Sequence, residues 1–94
     1  MNITYTDMAN TPVIIVAVHG HVWIAKGIEC SDDHMHLKHA STVRNWGTTK
    51  GLNELVNGPT KETVIDDPAP VLFLPDAAVI AVIPCRAAAW EGKL

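Results

Sequence analysis

Pro12-Val13-Ile14-Ile15-Val16-Ala17-Val18 is an unbroken apolar run, rich in β-branched residues and too short for an ordinary helix. It reads as a buried strand. His19-Gly20-His21 then supplies a tight turn, and Val22 to Cys30 reads as the returning strand, with Gly27 marking a bulge. Ser31-Asp32-Asp33 is a turn signal. Beyond it the spacing becomes period two: Met35, Leu37 and Ala40 take the core face, and His34, His36 and Lys38 take the opposite one. After Trp46 the apolar spacing turns helical. Leu52, Leu55 and Val56 predict one or two turns, stopped by Asn57-Gly58-Pro59. Thr63-Val64-Ile65 is a short strand, and Asp66-Asp67-Pro68-Ala69-Pro70 reads as a loop. Val71–Leu74 and Val79–Ile83 are two further strands around a Pro75-Asp76 turn. Arg86 to Glu91, with three alanines, predicts a short terminal helix.

Five or six short strands with a turn signal every ten or so residues predict a mainly β protein. The expected architecture is a small antiparallel β-barrel or sandwich, of SH3-like size, with one or two short helices. Residues 1–94 are expected to form a single domain, since no repeat, low-complexity tract or long linker divides the chain. A barrel this small has a solid core, so a ligand site must lie on its rim or between subunits.

Composition narrows the function classes. The longest apolar run falls far short of the roughly 20 residues of a membrane span. Met1 to Asp7 lacks the basic start and apolar block of a signal peptide, so the expected location is the cytoplasm of the host cell. Cys30 and Cys85 have no CxxC or metal-ligand spacing and read as reduced thiols. A net charge of −3 argues against general nucleic-acid binding.

The charge distribution is uneven. Met35 to Asn53 holds no acidic residue, but it carries His36, Lys38, His39, Arg44, Asn45, Trp46 and Lys50. A local positive window on an acidic protein attracts a small anion. Arg44 grips a phosphate bidentately, while Lys38 and Lys50 act as point charges. Trp46 offers a flat face to a nucleobase or packs as an anchor, and Asn45 is placed between them to bond a base edge.

Other constellations are weaker. Two HxH pairs, His19/His21 and His34/His36, carry metal-binding donors, but no carboxylate or cysteine is patterned beside them, so no metal site is assigned. Gly47-Thr48-Thr49-Lys50-Gly51 and Gly58-Pro59-Thr60-Lys61 lack the Walker spacing and read as structural turns. Asp32-Asp33 and Asp66-Asp67 read as turn carboxylates. No base stands beside a nucleophile, so catalytic residues and cofactors are not expected.

The block Leu37-Lys38-x-Ala40 … Trp46 … Lys50-Gly51-Leu52-x-x-Leu55-x-x-Gly58-Pro59-Thr60-Lys61 resembles a family of small, uncharacterised proteins of tailed bacteriophages and prophages. His19-Gly20-His21-Val22-Trp23-x-x-x-Gly27 and Ala81-Val82-Ile83-x-Cys85-x-x-Ala88-x-Trp90 extend the resemblance over Val13 to Trp90. The departures are Trp46-Gly47, where the family has Trp-Ser, and loss of the acidic residue before the cysteine. The resemblance implies a phage accessory protein that acts by binding. The leading expectation is a homo-oligomer that captures a phosphate-bearing, nucleotide-like ligand, such as an immune signal made by the host. The alternative is a protein-interaction module that inhibits a host factor, or a minor virion component. A nucleotide hydrolase ranks third.

Overall fold

The computed structural model describes residues 10–31, 33–49 and 51–94. The described strands are β1 (Val13–Ala17), β2 (Val22–Ala25), β3 (Gly27–Cys30), β4 (His34–Asn45), β5 (Val64–Ile65), β6 (Ala69–Pro75) and β7 (Val79–Pro84). All pairings are antiparallel. The sheet runs β3-β4-β2-β1-β7, and β5 and β6 pair with β4 as well. The mainly β expectation holds, as a curled antiparallel half-barrel with short helical pieces.

β1 shows why its sequence is apolar without alternation. Val13 and Ile15 enter one core, and Ile14 enters a second core on the other side of the sheet. A strand covered on both faces has no position left for a polar side chain. The first core gathers Ala25, Ile28, Met35, Leu37, Ala40 and Leu74 around β1. The second is roofed by non-sheet elements: a 3₁₀ segment, Leu52–Asn57, and helix α1, Ala87–Trp90. Leu55 and Trp90 are fully enclosed there, and the Trp90 indole N–H donates to the Leu55 carbonyl at 2.8 Å.

Three elements depart from the sequence expectation. The helix over Lys50 to Val56 is a 3₁₀ segment beginning at Leu52. Gly51 and Gly58 bracket it at φ +95° and +102°, so both ends take conformations other residues resist. The His19 turn is a 3₁₀ turn over Val18–Gly20, with His19 itself left-handed. Ala69 and Pro70 belong to β6 rather than to a loop. Proline is tolerated there because β6 pairs only with β4 among the described residues, leaving its other edge free.

The strand expected over Val22 to Cys30 is interrupted at Lys26, one residue before Gly27. Its partner β4 responds at the same level. Ile24 pairs with Ser41, and Gly27 pairs with Lys38. Between those pairs His39 takes φ +53°. The alternation of β4 reverses there: Met35 and Leu37 face the first core before it, Ala40 still does, and Val43 faces the second. One 12-residue strand thereby serves both cores.

Candidate functional site

Beyond His39, β4 runs out to Arg44 and Asn45 and continues into Trp46-Gly47-Thr48. This end is strapped to residues 60–66. The Asn45 amide nitrogen donates to the Glu62 carbonyl at 3.1 Å. The Thr63 hydroxyl donates to the Trp46 carbonyl at 2.7 Å, and the Thr60 hydroxyl donates to the Gly47 carbonyl. The Asp66 amide donates to the Thr42 carbonyl at 2.9 Å. Gly47 sits at φ +67°, where an added Cβ would lie 2.4 Å from the Glu62 carbonyl carbon and the Thr63 amide nitrogen. The two backbones therefore approach as closely as glycine alone allows.

The strap shapes an open groove of about 400 Å³ lined by Arg44, Asn45, Trp46, Gly47 and Thr48. The Arg44 guanidinium lies 2.8 Å from the Asp66 carboxylate, and 70% of its side chain remains exposed. One carboxylate cannot engage all five guanidinium N–H groups, so donors remain for a second acceptor. Trp46 is 41% exposed. A cation, an indole and an amide side chain thus border one opening.

The rest of the positive window lies elsewhere. Met35 and Leu37 point into the first core, so His36 and Lys38 point away from it. Lys38 pairs with Glu29 across β3–β4 at 2.6 Å, and this ammonium holds the Glu29 carboxyl below its usual range. The His36 ring meets the Ser31 hydroxyl at 2.9 Å and the Phe73 ring edge-on at 4.6 Å. His39 occupies the bend. Arg44 lies further along β4, where the pairing with β5 shifts register, and its guanidinium meets Asp66 rather than the residues around His36 and Lys38. Lys50 lies outside the described residues. Of the seven candidates, the groove unites Arg44, Asn45 and Trp46.

Sequence reasoning missed the strap. Asp66 reads as a turn carboxylate, yet it is the partner of Arg44. Thr60 and Thr63 give only a faint signal, two hydroxyls at turn spacing whose oxygens lie 3.1 Å apart. Among the described residues no group of three His, Cys, Asp or Glu side chains is placed to hold a metal. No described helix is long and apolar enough to cross a membrane. No family model matches this chain, and neither a curated protein nor a solved structure does.

Proposed function

We propose that the protein works by binding rather than turnover, and that its ligand is a phosphate-bearing small molecule with a flat ring. The observation carrying this reading is the groove that sets Arg44 beside the exposed Trp46. A phosphate oxygen accepts from the guanidinium N–H groups that Asp66 does not use. The ring lies against the indole, and the Asn45 side-chain oxygen, whose amide nitrogen is tied to Glu62, remains an acceptor for a base edge. The phage resemblance supplies a source for such a ligand, a nucleotide signal of host defence, and a role, its sequestration by a homo-oligomer.

Native mass spectrometry of untagged protein from cells that make such nucleotides tests the proposal. Release of an intact nucleotide on denaturation, lost in Arg44→Ala, supports it. An empty protein turns the reading toward a protein partner. That second reading rests on Val71 and Phe73 of β6 and Ile80 of β7, which expose large apolar side chains, Phe73 at 60%.

A further inference from the structure

A second and larger cavity, about 580 Å³, opens beside the C-terminal helix and shares no lining residue with the groove of Arg44. Pro12, Ala87, Ala88, Trp90 and Leu94 form its apolar lining, and Asn10 and Gly92 border it as well. This volume lies in the range of small-molecule sites. Most of this lining is apolar, and the polar side chains on it are Asn10, Lys26 and Glu91.

One cation stands at the rim. Lys26 occupies the break between β2 and β3, where its amide is fixed by the Lys38 carbonyl at 2.9 Å. Its ammonium has no carboxylate partner among the described residues, whereas Lys38 and Arg44 each have one. Glu91 lies on the rim as well. Its charge repels an acidic head group and leaves Lys26 as the place where that head can settle.

The geometry points to a binding site for a small amphipathic anion, an aliphatic or aromatic acid whose apolar body lies on Pro12, Ala87, Ala88 and Leu94 and whose acidic group meets Lys26. Charge complementarity fixes the direction of binding, and burial of the ligand's apolar body supplies affinity. Such a ligand bridges the sheet corner at Lys26 and the helix that roofs the second core. It therefore stabilises the folded chain as it binds.

Anilinonaphthalene sulfonate is a suitable probe, with dodecanoate as competitor. The full chain should enhance the dye's fluorescence saturably, dodecanoate should displace it, and dodecanoate should raise the Tm of a single cooperative melt. Lys26→Gln should weaken dye binding about tenfold, the loss of one charge-assisted hydrogen bond. Lys26→Arg should retain it. Ala88→Phe should block the cavity while leaving the melt cooperative. Absence of saturable binding overturns the assignment, and so does unchanged affinity in both Lys26→Gln and Ala88→Phe. Arg44→Ala should leave dye binding untouched, which separates this site from the groove at the end of β4.

Discussion

The amide of Lys26 donates to the carbonyl of Lys38 across 2.9 Å, and the next residue of that strand, His39, is left-handed at φ +53°. β2 gives way to β3 at Lys26, and at the same level β4 bends without breaking, so the bend is a property of the pair. A non-glycine residue held left-handed costs about 1–2 kcal/mol. His39→Gly removes that strain and should raise stability or leave it unchanged. His39→Val adds a branched side chain at the same φ and should lower stability by about 1–2 kcal/mol. Urea unfolding of the two variants, with unchanged m-values, checks the pair. Equal stability of Gly and Val at this position would contradict the strained bend.

Trp90 closes the second core by packing and by one hydrogen bond. Trp90→Phe keeps most of the packing and removes one of two donors to the Leu55 carbonyl, which keeps the Gly58 amide, at a cost of about 0.5–1.5 kcal/mol. Trp90→Ala opens a cavity as well and should cost about 3–5 kcal/mol, enough to unfold a domain this small. Thermal melts followed by circular dichroism rank the two. A Phe variant as stable as the parent would show that the bond contributes nothing.

Gly47 is the position where the strap leaves no room. Gly47→Ala drives its methyl group into the backbone of Glu62 and Thr63, so the Thr60 and Thr63 hydroxyl bonds must yield. Gly20→Ala is the matched control: its φ is +77°, yet nothing lies within 4 Å of the added carbon. The control should lose only the backbone term of about 1 kcal/mol. Gly47→Ala should lose more, and amide exchange over residues 60–66 should accelerate in that variant alone.

The two thiols should separate cleanly. Cys30 is exposed and Cys85 is buried, so a thiol reagent should label one cysteine in the native protein and the second only after unfolding. Burial pushes the Cys85 thiol up from its ordinary value of 9.0 to about 11. The folded state therefore holds this proton more tightly than the unfolded chain. Its contribution to stability is complete below pH 9, and it fades as pH rises through the window up to about 11. Cys85→Ala should flatten the stability profile across that window, measured by urea unfolding at each pH.

What the sequence disclosed and what it hid divide along one physical line. The unbroken run of β1 and the alternation of Met35 and Leu37 are local signals, and each gave the right strand and the right face. The reversal at His39 was hidden because no glycine marks it, and it lies at the level where the neighbouring strand is interrupted at Lys26. The acid-free window looked like one positive surface because charge was counted along the chain. Glu29 and Asp66 reach Lys38 and Arg44 from other strands and loops, and strand pairing alone brings them there. Pro70 misled for a related reason, since whether a strand ends a sheet is a fact about its neighbours.

The bond from Trp90 to Leu55 has a consequence for synthesis. A ribosome makes Ile14, Ile24 and Val43 of the sheet, and Leu55 of the 3₁₀ segment, before Trp90, so the last part of the second core's roof arrives at the end. Until then one face of the sheet is exposed and adhesive. A premature stop in the last codons before Trp90 would release a chain with its first core complete and its second core uncovered, a natural substrate for chaperones and proteases.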